Sequence, residues 1–228
     1  MIQPIKLKII ISDAVHFFMF HWSQIAKLCL PWLLAAALVE FGIASAVQDS
    51  ENAAPLLLVA WTFNLLIYPI YTGALIIFMA KRAQREQPEN RELTAAAIKI
   101  WQPLFMVHII GSGMTALGLM LLIVPGIYVL VRLSFAEFHL VLEGLKPLEA
   151  IQKSFQTTRP YFGLILLLLV MFMAPLVLLT FSLGSWLNDL NVSPVLNIFL
   201  STLIAYLTLF VDVVIFRVYM SSRQENMS

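Results

Sequence analysis

An all-α fold is what this sequence predicts: a polytopic helical membrane bundle of six transmembrane helices with three interfacial amphipathic helices. Three observations carry that expectation. Of 228 residues, 61% are apolar and only 12% are charged, against about 45–50% and about 25% in soluble domains. Mean hydropathy is +0.89. The apolar residues also form continuous runs, as from Leu164 to Val170, whereas the strands of a membrane barrel alternate lipid-facing and lumen-facing residues. A soluble globular domain, a disordered chain and a β-barrel are thereby excluded. Fourteen basic against thirteen acidic residues leave a net charge of +1, with no polybasic arm, so the chain binds no nucleic acid.

A helix needs about 20 apolar residues to cross the hydrocarbon core. The runs 25–47, 55–80, 102–124, 127–144, 160–187 and 194–220 reach or approach that length, and residues 1–228 read as a single transmembrane domain. The first run is expected to stay uncleaved. Ala44-Ser45-Ala46 resembles a cleavage tripeptide but follows a run longer than the roughly 7–15 residues of a signal core. Only Val124-Pro125-Gly126 separates the third and fourth runs. Proline removes a helical donor and glycine permits positive φ, so a tight outer turn is expected there.

Charge sets the expected threading. The outer loops, 48–54, 125–126 and 188–193, hold Asp49, Glu51 and Asp189 but no lysine or arginine. Twelve of the fourteen basic residues lie on the other side, five of them (Lys81, Arg82, Arg85, Arg91 and Lys99) in or beside the first long loop. Lysine and arginine are retained in the cytoplasm, so both termini are expected there.

A short amphipathic segment precedes each pair of spans. The clearest, 147–159, sets Leu148, Ile151 and Phe155 at helical spacing with Lys153 and Arg159 on the polar side. The others are 91–101, with Leu93, Ala97, Ile100 and Trp101 on one face, and about 10–22, with Ala14, Val15, Phe17 and Phe18. A basic amphipathic helix lies in the membrane interface and contacts lipid headgroups. The dipeptides Ala14-Val15, Ala97-Ile98 and Ala150-Ile151 recur, each followed by an aromatic residue. Either the chain is a threefold parallel repeat over 10–80, 91–144 and 147–220, or these are short connectors of similar composition.

The passage from Leu122-Ile-Val-Pro-Gly-Ile-Tyr128 through Glu143-Gly-Leu-Lys-Pro-Leu-Glu-Ala150 to Thr158, with Phe17-Phe18 and the ending Phe216-Arg217-Val-Tyr219-Met220, resembles the YciC-like inner-membrane proteins of Gram-negative bacteria. The layout is also similar to the membrane domain of some glycerophosphodiester phosphodiesterases. The resemblance covers most of the chain in layout and about forty residues in motif. It implies a bacterial inner-membrane, multi-pass location and a role in lipid or envelope homeostasis, and supplies no catalytic residue.

No catalytic motif stands in the chain, and the longest stretch between spans, 81–101, is too short to carry a soluble domain. No enzyme activity, cofactor or metal is expected. His108 and Ser112 share a helical face, but Gly111, Ser112, Gly113 and Ala116 read as small residues that let helices approach. Cys29, the single cysteine, reads as apolar filler.

Ionisable groups within spans are costly and need a partner or a wet cavity. Glu40 and Arg132 are expected to share a depth of roughly 9–10 Å below the outer surface, at about 1.5 Å per residue, and to form a buried pair; the alternative is a neutral Glu40 with Arg132 reaching outward. His108, His139 and Asp212 form an inner polar layer, with Glu137 between the two layers. These groups read as packing bonds, as a path for an ion or headgroup, or as metal ligands.

Two functions remain. One is a non-enzymatic protein of lipid or envelope homeostasis or membrane organisation. The other is a small transporter or lipid-translocating protein using the intramembrane charges. Membrane lipids are the expected partners, and a membrane-protein partner or a homo-oligomer stays open. A cavity joining the polar layers favours the second function, a solid bundle the first. The threading itself is testable in a Cys29→Ala background. An impermeant thiol reagent applied to intact cells is expected to label Ser50→Cys and to spare Asn226→Cys; the reverse pattern would overturn it.

Overall fold

The computed structural model describes residues 4–48, 54–189 and 193–225. Most of the outer loops 48–54 and 188–193, with Asp49 and Glu51, lies outside the described residues. Among those described, the fold is all helix: α1 (Pro4–Gln48), α2 (Ala54–Ala83), α3 (Asn90–Lys99), α4 (Trp101–Leu121), α5 (Ile123–Leu133), α6 (Ala136–Glu143), α7 (Pro147–Thr157), α8 (Phe162–Asp189) and α9 (Pro194–Glu225). Six segments are long and apolar enough to cross a membrane: Leu7–Val47, Ala54–Ala83, Trp101–Leu121, Ile123–Glu143, Arg159–Leu183 and Val195–Glu225. The chain is a multi-pass helical membrane bundle.

The first expected amphipathic segment is not a separate helix. No glycine or proline interrupts residues 5–30, so segment and span join in α1, whose 45 residues extend about 67 Å, more than twice the hydrocarbon core. Its N-terminal part packs along α9. Phe18 meets Tyr206 and Phe210, the Tyr206 hydroxyl donates to the Trp22 carbonyl at 2.8 Å, and the Arg217 guanidinium lies 5.0 Å over the Phe17 ring.

Helices α4 and α5 form an antiparallel hairpin, but the turn is three residues earlier than expected. Leu122 is the extended residue, φ −167° and ψ 155°. Pro125 sits in the first turn of α5, where its missing N–H costs nothing. Gly126 serves close approach instead of a turn: a Cβ on Gly118 would lie 2.8 Å from the Gly126 Cα. The register runs the length of the pair, with Gly111 against Leu133 and Leu104 clustered with Ala136 and Leu140.

The fourth span, expected as one helix over 127–144, is broken at Ser134-Phe135. A broken helix at membrane depth needs new partners for its freed backbone groups. Ser154 of α7, fully buried, supplies them: its hydroxyl donates to the Arg132 carbonyl at 2.6 Å and accepts the Phe135 N–H at 3.2 Å. Thr158, also fully buried, donates to the Ser154 carbonyl at 2.6 Å, and its hydroxyl oxygen lies 3.4 Å from the Arg132 carbonyl.

That contact corrects the reading of α7. Its buried face is Ala150, Ile151 and Ser154, while Leu148 is 62% exposed. The helix runs back antiparallel to α6, with Lys153 against Glu143 and Thr157 against His139. Of the stripe expected to face lipid, protein buries Ile151 and half-covers Phe155, while Leu148 stays exposed. Helix α3 likewise buries Leu93 and Ala97 against α2. Ala14, Ala97 and Ala150, the alanines of the recurring dipeptides, are all fully buried, and their segments pack on α9, α2 and α6.

Replacing Ser154 with alanine orphans the Phe135 N–H, which costs about 1–3 kcal/mol. A melt of detergent-solubilised protein is expected to show that loss for Ser154→Ala. Ser45→Ala, which removes only a local bond on an exposed face, is expected to stay within about 0.5 kcal/mol of the parent.

Candidate functional site

The break in the fourth span borders a cavity of about 520 Å³. Five parts of the bundle line it: Tyr68, Tyr71 and Thr72 from α2; His108, Ser112 and Thr115 from α4; Ser134 and Glu137 from the α5–α6 junction; Leu169 and Met173 from α8; and Thr208 and Asp212 from α9. At about 1.5 Å per residue, Glu137 lies ~9 Å from the Glu143 end of its span, and His108 lies ~10 Å from Trp101. Thr72 lies ~16 Å from Ala83, and Asp212 ~20 Å from Glu225, on the same reckoning. The polar wall is thus well inside the bundle, nearer the ends that carry the basic residues.

Local structure explains each side chain. Glu137 falls in the first turn of α6, a helix start that exists only because the span is broken, and the positive end of that helix faces its carboxylate. The antiparallel hairpin register sets it against His108, whose Nδ1 is 3.5 Å from Glu137 Oε1. The Tyr68 ring stacks on the His108 ring with centroids 3.8 Å apart, and its hydroxyl donates to Glu137 Oε2 at 3.5 Å. Tyr71 meets Tyr68 edge-on at 5.6 Å. Across the cavity, Asp212 makes no hydrogen bond to a described residue.

The threonine hydroxyls around these groups, and that of Ser134, are already committed. Thr72 donates to the Tyr68 carbonyl at 2.7 Å, Thr115 to Gly111 at 2.9 Å, Ser134 to Val131 at 2.5 Å and Thr208 to Ala205 at 2.6 Å. Each spends its proton on its own helix and offers the cavity an oxygen lone pair.

The expected inner layer is only partly assembled. His108 and Asp212 share the cavity, but His139 does not line it. Two residues on a helix turn through about 200°, so His139 faces away from the Glu137 side. It belongs to a second cluster at the basic end of the bundle. There Glu143 lies 3.2 Å from His139 Nδ1 and 2.5 Å from Lys153, accepts from the Tyr219 hydroxyl at 3.0 Å, and His139 Nε2 bonds Thr157 at 2.8 Å. Lys153, expected to meet headgroups, is held by this carboxylate. Arg159 is exposed in the short 3-10 turn that precedes α8.

The Glu40–Arg132 pair is not formed. Glu40 Oε1 accepts from Asn64 Nδ2 at 2.7 Å. Arg132, 8% exposed, rests between Tyr128 and Phe155, with its guanidinium 5.7 and 5.5 Å from the two ring centroids. Equal depth does not make two residues neighbours, because it leaves open which helices lie side by side. Helix α1 packs on α2, α9 and α3, whereas α5 packs on α4, α7 and α8. Neither Glu40 nor Arg132 lines the cavity, so it does not join two polar layers.

Among the described residues no group of three or more His, Cys, Asp and Glu side chains is placed to hold a metal ion. In comparisons with known proteins, no family model matches the chain, no curated protein matches it, and no solved structure matches it.

The geometry separates true from false partners of Glu40. Glu40→Ala and Arg132→Ala are expected to be additive in a double-mutant cycle within about 0.3–0.5 kcal/mol. Glu40→Ala and Asn64→Ala are expected to couple by more than that, because they share one hydrogen bond. Chemical denaturation in detergent reads both cycles, and coupling in the first would restore the ion pair.

Proposed function

We propose that the protein is a non-enzymatic small transporter or lipid-translocating protein of the bacterial inner membrane. On this reading both termini are cytoplasmic, and the central cavity is the chamber that receives the polar part of its ligand. The cavity does not join the two expected polar layers, and one other observation carries the reading: a helix broken within the membrane opens onto a cavity with two carboxyl groups and a histidine. Irregular backbone at that depth is tolerated where it is buried in protein or lines a cavity, and interrupted helices form the binding sites of many carriers. A bundle that serves only to organise lipid needs no such chamber, and intramembrane ionisable groups are retained at a cost of about 2.5–3.5 kcal/mol each. The volume falls within the roughly 300–1,000 Å³ typical of small-molecule sites.

Water access tests this. In a Cys29→Ala background, Ser112→Cys and Thr208→Cys are expected to react with a small water-soluble thiol reagent in proteoliposomes. Leu167→Cys, on the exposed face of α8, is expected to stay unreactive. Equal, slow labelling at all three sites would mean a dry, closed bundle and would overturn the chamber.

A further inference from the structure

We infer that the ligand of this cavity carries a positive charge: an organic cation, such as an amphipath with an ammonium group, held against Asp212 and Glu137. The inference rests on the chamber reading above and names the class of ligand.

The ionisable carboxylates and imidazole lining the cavity are Glu137, Asp212 and His108, and no lysine or arginine is among its described lining residues. Arg132, close by in sequence, is turned instead to Tyr128 and Phe155. Glu137 is already served by His108 and Tyr68. Asp212 has no hydrogen-bond partner among the described residues, yet it lines the cavity at membrane depth, where an ionised group needs a partner or water.

Donor and acceptor balance points the same way. The hydroxyls of Thr72, Thr115, Ser134 and Thr208 spend their protons on their own helices. Most of the wall offers carboxylate and hydroxyl oxygen as acceptors, with the Ser112 and Tyr71 hydroxyls and the His108 ring as its few donors. An anionic headgroup would find few donors there and no basic side chain, whereas an ammonium group brings donors to the two carboxyl groups and a charge that lets them ionise. Tyrosine rings add negative π-faces that attract cations, and Tyr71 is not engaged by His108. The apolar side of the cavity, Leu119, Leu130, Leu169 and Met173, suits the hydrocarbon part of an amphipathic cation.

Two probes of nearly the same shape and opposite charge decide it. The full chain in lipid nanodiscs is titrated with tetraphenylphosphonium and with tetraphenylborate, and empty nanodiscs supply the partition background. Saturable binding of the phosphonium alone is expected. Asp212→Asn is expected to weaken it by about tenfold or more while the melting temperature is retained. Glu137→Gln provides a second charge variant if Asp212→Asn does not fold, and Thr208→Trp, which fills the chamber without altering its charge, is expected to abolish binding. Preference for the borate, equal binding of both ions, or an affinity unchanged in folded Asp212→Asn and Glu137→Gln overturns the cationic class and leaves the chamber standing. Absence of saturable binding for either ion, together with an unreactive Ser112→Cys, overturns the chamber itself and this inference with it.

Discussion

The structure depends on one buried hydroxyl. Ser154 closes the gap in the fourth span by donating to the Arg132 carbonyl and accepting the Phe135 N–H. Without it a broken helix at this depth would leave backbone groups unpaired, in surroundings that offer little water to replace the lost bonds. With it, the break becomes a stable corner. The corner gives α6 its own N-terminus, and that N-terminus places Glu137 at the cavity. It also fixes α7 against the bundle, because the residue that closes the gap lies on α7. The cavity, the acid and the short helix are three consequences of the same two hydrogen bonds.

The hairpin of α4 and α5 provides the second constraint. Gly118 and Gly126 approach so closely that a Cβ on either would collide with the facing backbone or side chain. Small residues at a crossing let two membrane helices gain dispersion contact where no hydrophobic force drives them together. The close crossing fixes the antiparallel register, and the register brings His108 opposite Glu137. The chamber stays open although both neighbours pack tightly. On one side α1, α2 and α9 share a large buried cluster that includes Phe78, Leu75, Phe216 and Tyr219. On the other, α4, α6 and α7 close around Leu104, Val107, Leu140 and Ile151.

Much of this was legible in the sequence, and the limits have physical causes. Continuous apolar runs gave the six spans, because length and hydropathy are set directly by the bilayer. The basic and amphipathic segments 91–101 and 147–159 were also visible as α3 and α7. Their exposure was not, since an apolar stripe reads the same whether lipid or protein covers it: Ile151 is buried by α4 and α6, while Leu148 on the same predicted stripe is exposed. The pairing of Glu40 with Arg132 failed for a related reason. Counting residues from a span end measures depth, but which helix lies beside which is decided by packing. Glu137 was passed over because an unbroken helix sets it five positions from Arg132 and away from any partner. Ser134, whose hydroxyl bonds back to the Val131 carbonyl, is the one local hint of the break; the partner that satisfies the freed backbone, Ser154, lies some twenty residues later. His108 and Asp212 were recognisable as ionisable groups in apolar runs, and the structure assembles them in one place.

The two polar clusters divide the work of carrying charge. At the basic end, Glu143 is surrounded by Lys153, Tyr219 and His139, so its charge is answered within the protein and the cluster ties α6, α7 and α9 together. Deeper in the bundle the balance is left open, with two carboxyl groups against one histidine and no lysine or arginine among the described lining residues. Both clusters are built on α6 and α9, yet one is satisfied and the other is not. Packing alone does not account for the difference, because the same helices could have buried Asp212 beside a donor as they buried Glu143 beside Lys153. Among the described residues Asp212 has no donor, and at the wall of a cavity such an acid leaves room for a positively charged ligand as its partner.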